Sequence, residues 1–159
     1  MAKIRKSISI RAPLNQVYDF MTQPENLLEI WPSMVEVSHV ARSADGSHSF
    51  DWVYKMGGIH FKGHAATSEV IQYQRVVVKN DKGIPSTFFW AYSGENGNTK
   101  LILDVDYTLP SRLLDKLAEP FLTKINEREA ETLLENLKNR MELGMKAVVP
   151  KAAQHVSPR

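Results

Sequence analysis

Between Ile4 and Thr108 apolar residues mostly alternate with polar ones, and from Ser111 onward they recur at helical spacing. Ile4, Lys6, Ile8 and Ile10 alternate with Arg5, Ser7, Ser9 and Arg11, as a short strand requires. Pro13 then opens a helix with Val17, Phe20 and Met21 on one face. A second short, proline-started helix runs Pro24-Glu25-Asn26-Leu27-Leu28-Glu29, with an acid in its first turn, and ends at Trp31-Pro32. Strand patterns follow at Met34–Val40, Ser47–Met56, Ile59–Gln72, Arg75–Lys79, Ser86–Ser93 and Thr99–Thr108. Asp45-Gly46, Gly57-Gly58, the turn 80–83 and the turn 95–98 separate them, so the strands read as hairpins.

The last stretch has another character. Leu113, Leu114, Leu117, Ala118, Phe121, Leu122 and Ile125 share a helical repeat with Ala130, Leu133, Leu134, Leu137 and Met141. Ser111 is the expected N-cap, and the helix should run about thirty residues, roughly 45 Å. Pro120 lies inside the pattern and should kink it or split a short first turn from the main rod. Strands followed by one long helix specify an antiparallel α+β fold over residues 1–146, with a disordered tail expected at 147–159.

Strand parity tells which face is inside. Phe50, Trp52, Tyr54 and Met56 share one side of their strand; Phe61, Gly63 and Ala65, then Phe88, Trp90 and Tyr92, then Leu101, Leu103, Val105 and Tyr107 continue it. Seven strands at about 4.8 Å make a face roughly 30 Å wide. One helix is about 10 Å across. The sheet must therefore curl around the helix and leave a cavity, or offer the remainder to a second copy of the chain. Gly63 and Ala65 on the inner face favour curvature or open space over dense filling. The expected lining is Phe50, Trp52, Tyr54, Phe61, Trp90, Tyr92, Leu103, Tyr107, Asn126 and Leu133, apolar with a few polar tips that need partners.

Composition narrows the function classes. The chain has no cysteine, which removes disulfide frameworks and thiolate metal sites. The net charge of +2 comes from 20 basic and 18 acidic residues, and two of the basic ones, Lys151 and Arg159, lie in the tail. The remainder is balanced, so a phosphate-tracking surface for nucleic acid is not expected. No apolar segment is long enough for a signal or membrane anchor, which is the sole ground for expecting a cytoplasmic protein.

Read together, Ile8 through Pro13, Val17-Tyr18-Asp19-Phe20, the passage from Pro24 to Trp31-Pro32 and Val35-Glu36-Val37 resemble the helix-grip, START-like superfamily, in its polyketide-cyclase and lipid-transport branch. Asn98 to Leu101, Asp106 to Pro110 and the ending Leu134 to Met141-Glu142 carry the same resemblance, which covers about residues 3 to 143. It implies a seven-stranded antiparallel sheet, two short helices after the first strand and a deep cavity beneath the C-terminal helix. Its members include lipid carriers and aromatase/cyclases, so it implies no single activity.

Candidate chemistry is sparse. His60 and His64 are about 13 Å apart along one strand, and His39 and His48 flank a hairpin without a third ligand, so surface histidines and no metal are expected. Asp104 and Asp106 fall on the outer face beside Lys100. Asn126 falls among the apolar positions of the long helix with Glu129 at their margin, placing Asn126 where it would orient a ligand carbonyl or hydroxyl opposite Tyr54 or Tyr107. The reading is binding or transport of a small hydrophobic ligand, with no cofactor. The alternatives are a cyclase or dehydratase using Tyr54, Tyr107 or Arg128 as proton donor, and a module that dimerises through its sheet.

Overall fold

The computed structural model describes residues 1–148 of the 159. Seven antiparallel strands form one sheet: β1 (Ala2–Ile10), β2 (Met34–Arg42), β3 (His48–Met56), β4 (Ile59–Ile71), β5 (Arg75–Asn80), β6 (Ser86–Glu95) and β7 (Asn98–Tyr107). Their spatial order is β1-β7-β6-β5-β4-β3-β2. Every pair but β1–β7 is a hairpin between sequence neighbours; four of the five turns contain glycine, and in the β4–β5 turn Tyr73 takes the positive φ of 65°. Helix α1 (Leu14–Met21), a 3-10 turn (Pro24–Asn26) and α2 (Leu27–Ile30) lie between β1 and β2; α3 (Ser111–Leu114) and α4 (Glu119–Val148) follow β7. No helix among the described residues is long and apolar enough to cross a membrane.

Two prolines serve as N-caps, while Pro24 opens its 3-10 turn at the first helical position as expected. Pro13 is the N-cap of α1 in extended conformation, not its first helical residue. Pro110, not Ser111, caps α3. A proline locked at φ near −65° with no N–H to donate suits either place. The helix expected from Ser111 is instead two helices, and Pro120 falls in the first turn of α4, where its missing N–H costs no hydrogen bond. The rod thus begins eight residues later and continues through Ala147 and Val148; the rest of the expected tail, 149–159, lies outside the described residues.

The sheet curls. Ile4 on β1 and Met34 on β2, from opposite edges of the sheet, face the same cavity, which a flat sheet roughly 30 Å wide cannot arrange. Register shifts in β2 between Met34 and Glu36 and between Ser38 and Ala41, and in β4 between Thr67 and Glu69, supply local bends. His39, at φ 53°, sits at the second of them. The apolar stripe of α4 (Leu122, Ala130, Leu133, Leu134, Leu137 and Met141) is buried against the concave face. The outer face is wet and ionic, with Lys3–Asp106, Arg5–Asp104 and Arg75–Glu69 paired across neighbouring strands.

The space at Gly63 is not open. Trp52 is its cross-strand partner on β3 and lays its indole over it: a Cβ at Gly63 would fall 2.1 Å from Trp52 Cζ2 and 2.6 Å from the Lys82 carbonyl oxygen. The absence of a side chain there serves close packing of an indole, and the open space lies elsewhere.

Candidate functional site

Beneath α4 the sheet lines a partly open cavity of about 120 Å³. Phe50, Trp52, Tyr54, Trp90, Tyr92, Leu103, Tyr107, Asn126 and Leu133, all expected from strand or helix parity, line it together. Phe61 does not. It is buried, but the Arg112 guanidinium from α3 covers its ring at 4.8 Å, outside the cavity. Arg128 does not either; it points to solvent on the far side of α4. His48 departs from its surface reading: it is half-buried, stacks on Phe50 and lines the cavity. Burial, then the charge of Arg42, hold its pKa below the ordinary histidine value. Its Nδ1 is buried outside hydrogen-bond range of any described partner.

The lining has two polar poles. At one, Trp52 Nε1 donates to Asn80 Oδ1 at 2.8 Å, Asn80 Nδ2 donates to Ser86 Oγ at 3.1 Å, and Ser86 Oγ donates to the Ile84 carbonyl at 3.0 Å. This chain is closed on itself and fixes the indole. At the other pole, Trp31 Nε1 donates to the Tyr54 hydroxyl at 3.2 Å, and Asn126 Nδ2 donates to the Tyr107 hydroxyl at 3.0 Å. Asn126 Nδ2 also lies 3.7 Å from Met56 Sδ. Each phenol therefore accepts a bond, and neither gives its proton to a described side chain. Burial pushes the Tyr54 hydroxyl well above the ordinary tyrosine range, with the Glu129 carboxylate adding to it. Burial alone does most of the same at Tyr92 and Tyr107.

Trp31, Phe88, Asn80, Ser86 and His48 were absent from the expected lining. Phe88 and His48 each share parity with an expected neighbour (Trp90 and Phe50), so the alternation carried a signal for them; Asn80 lies one residue beyond the expected strand Arg75–Lys79. Trp31 leaves no such trace. It comes from the end of α2, reaches the sheet through edge contacts with Tyr54 at 5.4 Å and Phe88 at 5.6 Å, and closes that side of the cavity. Three bonds tie the α2–β2 segment to α4: Glu129 Oε2 accepts from Ser33 N–H at 2.8 Å, Asn136 Nδ2 donates to the Ile30 carbonyl at 2.9 Å, and Arg140 pairs with Glu29 at 2.9 Å.

On the convex face Asp51 joins two histidines that the sequence left apart. Its Oδ2 lies 3.0 Å from His39 Nδ1 and its Oδ1 2.7 Å from His64 Nδ1, across β2, β3 and β4. The His64 hydrogen bond holds the Asp51 carboxyl below its usual value. Among the described residues no group of three or more such side chains is arranged to hold a metal ion.

A curled seven-stranded sheet gripping one long helix over an apolar, tyrosine-tipped cavity defines a helix-grip, START-like domain. The chain belongs to the family described as polyketide cyclase / dehydrase and lipid transport, which matches residues 1–142. No curated protein matches it. Among solved structures it is similar to a protein from Thermus thermophilus (TM-score 0.77, 19% identity, covering 90% of this chain and 99% of that one). It is also similar to a START superfamily protein from Mycobacterium smegmatis (TM-score 0.71, 16% identity, 89% and 97%) and to a Streptomyces aromatase/cyclase (TM-score 0.72, 12% identity, 89% and 93%). At these identities the likeness is one of fold.

Proposed function

We propose that this chain binds and carries a small, mostly apolar molecule in the cavity under α4. The observation that carries the reading is the hollow itself: a packed domain has few gaps larger than a water molecule, and this one has a partly open cavity of about 120 Å³ walled by indole, phenol and aliphatic side chains. An engineered apolar cavity of about 150 Å³ takes up benzene. The space thus suits about one ring, and a longer lipid or polyketide chain requires the walls to part.

All three tryptophans of the sequence, Trp31, Trp52 and Trp90, line the cavity, so intrinsic fluorescence reports directly on its contents. Titration with toluene should shift or quench the emission saturably, and native mass spectrometry of protein purified from cells should show a bound hydrophobic metabolite. A flat titration together with an unliganded mass would remove the reading.

The family description and the aromatase/cyclase neighbour favour a second reading, a cyclase or dehydratase. Such chemistry needs an acid and a base poised near neutral pH. Tyr54 and Tyr107 are pushed away from that range, and Arg128 faces solvent, so the support for proton transfer is weaker than for binding. Turnover of a poly-β-keto analogue that is lost on Tyr54→Phe or Tyr107→Phe would establish it.

A further inference from the structure

Glu129 is the one side chain in the described lining with a full formal charge; no lysine or arginine faces the cavity, and His48 is biased toward its neutral form by burial. Its carboxylate makes no ion pair with a described residue. Oε2 is held by the Ser33 N–H at 2.8 Å, which fixes the group, while Oε1 has no donor among the described residues. Asn126 lies three residues earlier on α4, hence on the same side of the helix, and its Nδ2 is committed to Tyr107. Its carbonyl oxygen takes no hydrogen bond from a described residue. Two uncommitted acceptors, one of them charged, therefore stand at this pole beside the Tyr54 and Tyr107 hydroxyls, whose protons are also uncommitted.

An anion entering this cavity would give up part of its hydration, find no guanidinium or ammonium to replace it, and meet a fixed like charge. Sites built for carboxylates or phosphates supply the opposite, an arginine or lysine fork. We propose that Glu129 sets the charge class of the ligand: the cavity accepts a neutral or cationic molecule that presents an O–H or N–H donor, and rejects carboxylates and phosphates, free fatty acids among them. This rests on the binding reading above and adds the chemistry of the ligand's polar end.

Benzyl alcohol, benzylammonium and benzoate share one ring and differ in charge, with toluene as the apolar reference. Tryptophan emission of the whole chain at neutral pH should rank benzylammonium and benzyl alcohol ahead of benzoate by at least about tenfold. In Glu129→Gln, which keeps an acceptor for the Ser33 N–H, benzylammonium should weaken by about tenfold, the benzoate deficit should shrink by about fivefold or more, and toluene should bind within about twofold of wild type. Benzoate binding the wild-type chain as tightly as benzyl alcohol would overturn the proposal without any variant. A benzoate deficit unchanged in a folded Glu129→Gln protein would also overturn it. If toluene binds and the charge ranking is absent, the charge rule alone fails; if toluene does not bind at all, the cavity reading falls and takes the rule with it.

Discussion

Replacing Gly63 by alanine adds one methyl group at the most crowded point of the sheet. Its Cβ would stand 2.1 Å from Trp52 Cζ2, 2.6 Å from Trp52 Cε2 and 2.6 Å from the Lys82 carbonyl oxygen, all inside van der Waals contact. The indole cannot rotate away freely, because Nε1 is pinned to the buried Asn80 Oδ1 at 2.8 Å. The carbonyl belongs to the β5–β6 turn, where Gly83 already packs its backbone against Lys62. Overpacking of this kind costs about 1–3 kcal/mol. Breaking the indole bond and leaving Asn80 short of a donor costs about 1–3 kcal/mol more. The expected loss is about 4 kcal/mol, or about 10 °C in melting temperature for a chain of this size. Urea unfolding followed by circular dichroism gives the free energy, and tryptophan emission shows whether Trp52 has moved. Gly58→Ala is the control: no atom lies within 4 Å of its Cβ position, so only the strain of a positive φ remains, about 1 kcal/mol. A Gly63→Ala protein within about 1 kcal/mol of wild type, with unchanged emission, would refute the packing argument.

Asn126→Leu removes the donor to the Tyr107 hydroxyl and the polar character of that pole; affinity for benzyl alcohol should fall about fivefold or more while toluene binds as before, read by the same titration. His48 has a folded pKa below its ordinary value, so the unfolded chain binds its proton first as pH falls, and stability declines from about 6.5 downward until the folded value is reached. His48→Phe should flatten that part of a stability-against-pH curve measured by urea unfolding. Glu142 behaves in the opposite compartment of the pH scale. Hydrogen bonds from Lys138 and from the Arg11 N–H hold its carboxyl below the ordinary value, so its contribution is complete above about 4.5 and is lost as pH falls through the folded value. Glu142→Gln should cost about 1 kcal/mol at neutral pH, and the difference should vanish in acid.

The alternation of apolar positions in β3, β6 and β7 was enough to place Phe50, Trp52, Tyr54, Trp90, Tyr92, Leu103 and Tyr107 on one wall, because a period of two leaves only one face to bury. Helical spacing did the same for Asn126 and Leu133. Phe61 shows the limit of parity: it obeys the pattern and is buried, yet what covers it is Arg112 from α3, a residue no strand periodicity can see. Trp31 marks the complementary limit, since a residue at the end of a four-residue helix has no period of its own, and its place depends on how α2 docks against α4. The width mismatch between sheet and helix announced a cavity but not its size, which depends on how far bulky rings such as Trp52 fill the hollow.

The strand order has a temporal side. β1 is made first and pairs only with β7, with Lys3 and Asp106 joined across 103 positions of sequence, whereas every strand from β3 onward meets a neighbour already in place. On a ribosome β1 must wait as an unpaired edge while six strands and two short helices emerge, and α4 packs on it only afterwards. The last ladder to close is therefore the one with the largest loop entropy, and it should govern the folding rate. Its outward charges, Lys3 and Arg5, keep that waiting edge from pairing with another chain.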